Sequence, residues 1–328
     1  MENMEIYKNQ DLVLKVNHNV DPDVFDLNKY EPFLDVLCRR REYQRQSIRE
    51  VVLFLLGGNY SNLKVLAEEN YHQNEVLKEK YPKDRDFYKT LQLQNKLACS
   101  VDLATGTGKS YVMYGVAQIL LAEGAVDRVL VLCPSLTIED GLTDKFDEMA
   151  SDKVLKDSLP ENAIYKNPRI INANQTVEKG DICIENIHAV YKKTNSAIED
   201  SFKGQGEKTL VLNDEAHHVY SPDGKDFKQW MRFLLDDSFG FKYIVGFSGT
   251  CYTDNEYFTD VIYRYSLKQA IEDKHIKDVE YVVENQSDTL KEDTKFQEIY
   301  QIHKENKRLY NKIKPLTIYV TKNKKECE

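Results

Sequence analysis

Short, continuous apolar runs alternate with segments of helical or loop character along the middle of the chain. Each run is bounded by polar or turn-forming residues, which is typical of strands that are buried on both faces. The runs are Leu97 to Leu103, Arg128 to Cys133, Ile182 to Ile184, Thr209 to Asn213 and Tyr243 to Phe247. Because helical or loop segments separate them, the pattern predicts an α/β fold with a parallel sheet and helices on both faces.

The residues before the first strand are less regular. Residues 1–30 have no clear period and are expected to form a loosely packed N-terminal arm. Apolar positions at helical spacing predict one helix over residues 33–56, ended by the glycine pair that follows. The polar stretch 59–95 is expected to project as an insertion from a main domain over residues 31–275.

The residues after the last strand predict the beginning of a second unit. We expect a helix and a linker over 263–278, a strand over 278–283 and a charged helix over 287–314. The apolar run 315–321 is typical of the first strand of another domain, but too little sequence follows it to bury a core. The chain is therefore expected to be a fragment, in which residues 276–328 form a linker and the truncated start of a second domain.

The sequence Leu103-Ala-Thr-Gly-Thr-Gly-Lys-Ser110 lies between the first strand and a helical pattern. A strand, a glycine-rich turn, Lys-Ser and a helix is the order of a phosphate-binding loop. The glycines permit the tight turn, Lys109 can neutralise phosphate charge and the Ser110 hydroxyl can ligate Mg²⁺. Leu103 departs from the common pattern, which has glycine there, so a simple glycine-rich turn with a solvated lysine stays possible. The candidate nucleotide-binding residues are Thr105, Gly106, Thr107, Gly108, Lys109 and Ser110.

Adjacent acids follow the strand that ends near Asn213. Asp214 and Glu215 are costly to leave unpaired at a strand end, and a Mg²⁺-nucleotide would supply the missing positive charge. In this interpretation Asp214 holds Mg²⁺, Glu215 orients and deprotonates the attacking water, and His217 links the loop to its neighbour. The alternative is an exposed acidic turn. Ligands of parallel α/β sheets lie at the carboxyl ends of the strands, so this turn should meet the phosphate loop.

A basic triplet precedes Tyr43 and Gln44 in the predicted first helix. Such a triplet is usually a solvated face. However, a glutamine amide can pair with both N6–H and N7 of adenine, and Tyr43 could stack on the ring.

Composition narrows the class of protein. The chain has 328 residues, 41% hydrophobic and 30% charged, and no apolar run approaches the roughly 20 residues that cross a bilayer. Its formal charge of −9 argues against a non-specific nucleic-acid coat protein but permits a local basic groove. The lack of such an apolar run also predicts no membrane partner. The six scattered cysteines are interpreted as reduced core residues, which favours a cytoplasmic protein.

Taken together, these motifs resemble a superfamily-2 helicase or translocase motor of the DEAH type. Residues 104–110 match motif I, Asp214 to His217 match motif II, and Ser248-Gly249-Thr250 match motif III with glycine in place of alanine. The resemblance implies a RecA-like P-loop domain, the cofactors ATP and Mg²⁺, and a DNA partner, with duplex DNA favoured. It also implies adenine reading by Tyr43 and Gln44. The residues implied in nucleic-acid contact or coupling are Pro134, Ser135, Asn186, Ser248 and Thr250.

Within that superfamily, the chain resembles the motor (Res) subunit of type III restriction enzymes. The features are Arg-x-Tyr-Gln, the Ala-Thr-Gly-Thr-Gly-Lys form of motif I, and the stretch 263–270. This resemblance implies a separate methyltransferase or specificity subunit, a nuclease after the motor, and arginines supplied by a second RecA-like lobe. Such a chain alone would bind nucleotide weakly and hydrolyse it poorly. A type I motor stays an alternative, although the residues before Arg41 are too few for its leading nuclease.

Two other classes of protein remain open. One is a catalytically silent nucleic-acid-binding assembly module that keeps the fold, against which the intact Lys109, Asp214 and Glu215 argue. The other is a P-loop kinase or GTPase, which would give no reason for Gln44, Asp-Glu-Ala-His and Ser-Gly-Thr to occur together.

Overall fold

The computed structural model describes residues 8–188, 197–220, 225–253, 255–277 and 292–309. The chain divides into two compact units, Met1–Asp278 and Val279–Glu328. In the second unit the described residues form one helix, Glu292–Leu309, which lies within the charged helix predicted over 287–314.

The first unit is built on a parallel sheet of seven strands among the described residues. In sheet order β3-β4-β2-β5-β6-β1-β9, every neighbouring pair runs parallel. A short antiparallel hairpin, β7-β8, lies outside this sheet. The strands are β1 (Leu97–Leu103), β2 (Arg128–Cys133), β3 (Ile170–Ile171), β4 (Ile182–Asn186), β5 (Thr209–Asp214), β6 (Tyr243–Ser248), β7 (Tyr252–Thr253), β8 (Glu256–Tyr257) and β9 (Val261–Tyr265).

Successive residues of each central strand point to opposite faces of the sheet, so both faces are apolar and both are covered by helices. Leu210 and Leu212 of β5 join one hydrophobic cluster, and Val211 between them joins the other. The predicted parallel α/β fold is therefore confirmed. The helices are α1 (Glu31–Cys38), α2 (Glu42–Leu56), α3 (Leu63–Gln73), α4 (Glu75–Lys80), α5 (Asp84–Tyr88), α6 (Lys109–Ala122), α7 (Leu136–Ser151), α8 (Lys153–Asp157), α9 (Ile198–Phe202), α10 (Lys225–Leu235), α11 (Leu267–Glu272) and α12 (Glu292–Leu309).

The N-terminal region packs more tightly than its sequence suggested. Leu14 is fully buried and its backbone N–H donates to the carbonyl oxygen of Val261, so the arm lies along the edge strand β9. Within the expected projecting insertion, Leu66 and Phe87 are fully buried in the same cluster as the sheet. The expectation of a loosely packed arm was therefore wrong, and the stretch 59–95 is anchored to the core by its few apolar positions rather than only projecting from it.

Two element boundaries also differ from the prediction. The helix expected over 33–56 is two helices, α1 and α2, separated at Arg39, whose φ is +54°. Residues expected to begin a helix after position 263 belong instead to β9. The strands expected at 278–283 and 315–321 both lie outside the described residues. Among the described helices, none is long and apolar enough to span a membrane.

Candidate nucleotide-binding site

The loops that carry the candidate chemistry meet at one edge of the sheet. Asp102 of β1 is in register with Ser248 of β6, and Asp214 of β5 is in register with Phe247. The phosphate loop, the acidic turn and the Ser-Gly-Thr turn therefore leave adjacent parallel strands at the same end. We call this edge the rim.

The phosphate loop adopts a backbone that suits its sequence. Gly106 and Gly108 have φ values of +84° and +81°, a region that glycine enters without steric cost. The Thr107 hydroxyl donates to the Ala104 carbonyl oxygen at 2.6 Å, which closes the turn, while Thr105 is exposed. Helix α6 begins at Lys109, with Ser110 half-buried in its first turn. The positive end of the α6 dipole therefore lies at this loop, as anion binding requires.

Lys109 lies between the phosphate loop and the acidic turn. Its Nζ is 3.2 Å from Glu215 Oε1, and both side chains are largely shielded from solvent. Asp214 is 7% exposed, and its Oδ1 atom is buried without a hydrogen-bond partner. Burial raises the pKa of Asp214 to about 6; Lys109 opposes the shift and Glu215 adds to it. The acidic turn thus contains a carboxylate oxygen that a bound cation would satisfy.

The acidic turn has an unusual backbone at its second acid. Glu215 has φ +51° and ψ +49°, the left-handed region that side chains other than glycine seldom adopt. This conformation redirects the chain from β5 into the short 3-10 turn Ala216–His218. It also holds the Glu215 carboxylate at the rim beside Lys109, so the strain coincides with the candidate chemical position.

The acidic turn is bonded to the Ser-Gly-Thr turn through His217. His217 Nδ1 lies 2.9 Å from Ser248 Oγ, 3.2 Å from Thr250 Oγ1 and 3.5 Å from Glu215 Oε2. Burial lowers the pKa of His217, with His218 and Lys109 adding to the shift and Glu215 opposing it. His217 Nδ1 thus lies where the acidic turn meets the two hydroxyls of the Ser-Gly-Thr turn.

Gly249 brings the Ser-Gly-Thr turn against the phosphate loop. A Cβ atom at Gly249 would lie 3.0 Å from the Thr105 nitrogen and 3.1 Å from the Leu103 carbonyl oxygen. Both are backbone atoms, so they cannot move aside as a flexible side chain could. The absence of a Cβ at Gly249 therefore permits the close approach of the two turns.

Tyr43 and Gln44 pack beneath the phosphate loop. The Tyr43 hydroxyl and Gln44 Nε2 donate to the Thr107 carbonyl oxygen at 2.9 and 2.7 Å. Gln44 Oε1 is buried and has no hydrogen-bond partner. Tyr43 is 6% exposed and its ring stacks on Tyr265, so it does not present a free ring face to a base in this arrangement. The geometry keeps Gln44 as a base-reading candidate and favours a supporting role for Tyr43.

The other predicted contact residues follow β2 and β4. Pro134 and Ser135 are half-buried, and the Ser135 hydroxyl caps α7 by accepting from the Ile138 N–H. Asn186 is buried, and its amide donates to Glu139 Oε2 at 2.6 Å. Asn186 thus ties β4 to α7, a geometry that favours positioning over direct contact with a nucleic acid.

Sequence reasoning missed a buried network beside the rim. Asp102 Oδ2 accepts from the Tyr257 hydroxyl at 2.8 Å and from Arg264 Nε at 3.1 Å. The signal was present, because Asp102 is an acid inside an otherwise apolar strand. Its partners lie over 150 residues further along the chain and could not be identified without the fold.

The family model described as "Type III restriction enzyme, res subunit" matches residues 38–253. The chain belongs to this family. The matched range includes the phosphate loop, the acidic turn and the Ser-Gly-Thr turn.

Two solved structures of a phage helicase are also similar. "Crystal structure of the UvsW helicase from Bacteriophage T4" is 16% identical, with 57% of this chain and 59% of that chain covered and a TM-score of 0.33. "The crystal structure of T4 UvsW" is 14% identical, with 70% of this chain and 44% of that chain covered and the same TM-score. This chain thus spans less than two thirds of either structure. Comparison with curated protein sequences gives no match.

Proposed function

We propose that this chain is the ATP-hydrolysing motor of a type III-like restriction or phage-defence system that moves on duplex DNA. The observation that carries the proposal is the 3.2 Å approach of Lys109 to Glu215, beside the unpartnered Oδ1 of Asp214. A phosphate-binding lysine, a candidate metal ligand and a candidate base thus lie within one small site. Their arrangement is what transfer of a phosphoryl group to water requires.

The residues at the rim fit a magnesium-bound nucleoside triphosphate. The loop over residues 105–108 and the start of α6 would hold the phosphates, and Lys109 would neutralise their charge. Ser110 and Asp214 would hold Mg²⁺, whose chemistry is to offset charge on the phosphate oxygens. Gln44 Oε1, buried without a partner, would accept a hydrogen bond from an amino group such as adenine N6–H.

Glu215 is the proposed general base. In the proposed cycle, triphosphate binding draws Lys109 away from Glu215 and leaves the carboxylate free to orient and deprotonate water. His217 is the proposed link to Ser248 and Thr250, so that hydrolysis moves the turn that packs on the phosphate loop. The loop at Pro134 and Ser135, on the same edge, is the proposed contact with the DNA backbone.

The proposed domain organisation follows the family. Residues 31–275 form a first RecA-like lobe with a packed insertion near 59–95, preceded by the arm 1–30. Residues 276–328 are a linker and the start of a second lobe that would supply arginines to the transferred phosphoryl group. A methyltransferase or specificity subunit is the proposed partner for site recognition.

The test is the substitution Glu215→Gln in the full-length protein. We expect DNA-stimulated ATP hydrolysis to fall by at least about 100-fold, the range for loss of a general base. ATP affinity should hold or rise, because Lys109 no longer shares its charge with a carboxylate. Glu75→Gln is the matched control, since the Glu75 side chain is 84% exposed on α4.

Unchanged turnover in Glu215→Gln would refute the assignment of the base. Tight ATP binding by the wild-type protein without hydrolysis, with or without DNA, would favour the silent assembly module instead.

A further inference from the structure

The segment after β9 returns to the phosphate loop. The Ala104 N–H donates to the Tyr265 carbonyl oxygen at 3.1 Å, so β9 and the loop separate at the same point. Helix α11 follows, and beyond it Ile276 Cδ1 lies 3.9 Å from the position that a Cβ on Gly106 would take. We call residues His275 and Ile276 the return turn, because they bring the chain back against the loop that would hold phosphate.

The position of the return turn is set by the two ends of α11. The Ser266 hydroxyl caps its N-terminus by accepting from the Gln269 N–H at 3.2 Å. At the C-terminus, the N–H groups of His275 and Ile276 both donate to the Ala270 carbonyl oxygen, at 2.9 and 3.0 Å. Lys274 has φ +61°, the left-handed conformation that ends many helices. These bonds hold the return turn against the C-terminal end of α11.

The return turn also contacts the residues under the phosphate loop. The Tyr43 ring lies 4.1 Å from the Tyr265 ring in a parallel stack, and its edge meets the His275 ring at 4.9 Å and 60°. Tyr43 is 6% exposed, whereas His275 is exposed. In this aromatic group, His275 is therefore the residue that is accessible to an incoming base.

The same region contains an unused acceptor. Gln44 is 1% exposed, its Nε2 is bonded to the Thr107 carbonyl oxygen, and its Oε1 is buried without a partner. Since the Tyr43 hydroxyl and Gln44 Nε2 donate to the same carbonyl oxygen, the Gln44 amide and the aromatic group meet the phosphate loop at the same residue, Thr107. An apolar side chain, an open ring and an unpaired acceptor are the features that recognise a nucleobase.

We propose that the return turn is the base-side wall of the nucleotide site, with His275 stacking on the nucleobase and Ile276 covering the sugar side. The proposal rests on the nucleotide function proposed above. It separates two roles: His275 contributes affinity for any base, since every base has a π face, while Gln44 contributes the preference for adenine. His275 is thus a binding residue for the nucleoside part of the substrate and leaves phosphate recognition to the loop.

The test compares two probes with and without a base. Mg²⁺-ADP and Mg²⁺-tripolyphosphate are titrated into the full-length protein, its His275→Ala variant and its His275→Phe variant. We expect His275→Ala to weaken ADP about tenfold, within the range for base–aromatic stacking, and to leave tripolyphosphate unchanged. His275→Phe keeps a ring and should bind ADP as the wild type does. Lys268→Ala is the control, because Lys268 is 84% exposed on the adjoining α11.

Three results would overturn the proposal. ADP affinity that is unchanged in His275→Ala would show that the ring does not meet the base. Equal loss of ADP and tripolyphosphate would show that the return turn only supports the phosphate loop. A wild-type protein that binds neither probe would refute the nucleotide site itself, so this failure is distinct from the first two. Equal melting temperatures of the free proteins exclude unfolding as the cause.

Discussion

Two buried carboxylates in the first unit have similar pKa values and opposite surroundings. Burial raises the pKa of both Asp214 and Asp260 to about 6. Asp260 is enclosed by donors, because its Oδ2 accepts from Ser100 Oγ at 2.9 Å and from the Tyr220 hydroxyl at 3.2 Å. Asp214 lies at the rim, where its Oδ1 is buried without a partner.

The difference shows how a buried carboxylate that could bind a ligand can be distinguished from one that is packed in the core. Burial alone raises the pKa of an acid, so the shift does not distinguish a metal ligand from a packed residue. What distinguishes them is whether the protein satisfies the carboxylate itself. Described residues donate hydrogen bonds to the Asp260 carboxylate, whereas none of them donates to Asp214 Oδ1.

The largest expected effect at the rim is that of Lys109→Ala. Lys109 is the cation that Asp214 and Glu215 share, and it would neutralise the phosphates. We expect Mg²⁺-ADP affinity to fall by at least about 100-fold, or about 3 kcal/mol. Calorimetric titration measures it, with Lys268→Ala as the control. Affinity within a few-fold of wild type would place the phosphates elsewhere.

Alanine substitution at the two acids should separate their roles in stability. The comparison is made at about pH 5, below both folded pKa values, so that both acids are largely neutral. Asp260→Ala leaves Ser100 and Tyr220 without their partner and should lower the free energy of unfolding by about 3 kcal/mol. Asp214→Ala should lower it by less than about 1 kcal/mol. Urea unfolding measures both, and equal losses would contradict the contrast.

The pH dependence of Asp214→Asn should have a defined sign. The pKa of Asp214 is raised in the folded state, so the unfolded chain ionises first as pH rises from about 4 to about 6, and wild-type stability falls over that window. Asparagine does not ionise. The free energy of unfolding of the variant should therefore rise relative to that of the wild type over this pH window. At higher pH the variant should be more stable than the wild type by about 2 to 3 kcal/mol. A stability difference that does not change with pH would show that Asp214 is not destabilised by burial.

The smallest expected effect concerns the contact between the turns. Gly249→Ala places a Cβ against backbone atoms of the phosphate loop and should cost about 1 kcal/mol of stability. It should also slow DNA-stimulated turnover, because the Ser-Gly-Thr turn must shift. Gly141→Ala is the matched control, since that glycine lies in α7 with open space around its Cβ position. If Gly249→Ala is as stable and active as wild type, the close approach has no role.

Much of the sheet could be predicted from the sequence. The strands β1, β2, β4, β5 and β6 are buried on both faces and therefore appear as mainly apolar runs. Because parallel strands place their carboxyl ends together, the meeting of the phosphate loop with the acidic turn was also predictable.

The rest depended on long-range packing. The edge strand β9 contains the half-buried residues Tyr263 and Arg264. Its pattern of apolar and polar positions therefore does not predict a buried strand. Burial of the N-terminal arm depends on Leu14 meeting β9, which no local pattern reveals. The position of His275 depends on the C-terminal cap of α11 and on the contact of its ring with the Tyr43 ring, which lies more than 200 residues earlier in the chain.

The most direct test of the account is the thermal stabilisation of three proteins by Mg²⁺-ADP. A ligand that binds the folded state raises the melting temperature, and the increase grows with the logarithm of the ratio of its concentration to its Kd. The account predicts equal increases for the wild type and Asp260→Asn, and loss of most of the increase in Asp214→Asn. An increase in Asp214→Asn as large as that of the wild type would contradict the claim that Asp214, with its unpartnered Oδ1 at the rim, holds the metal of the nucleotide site.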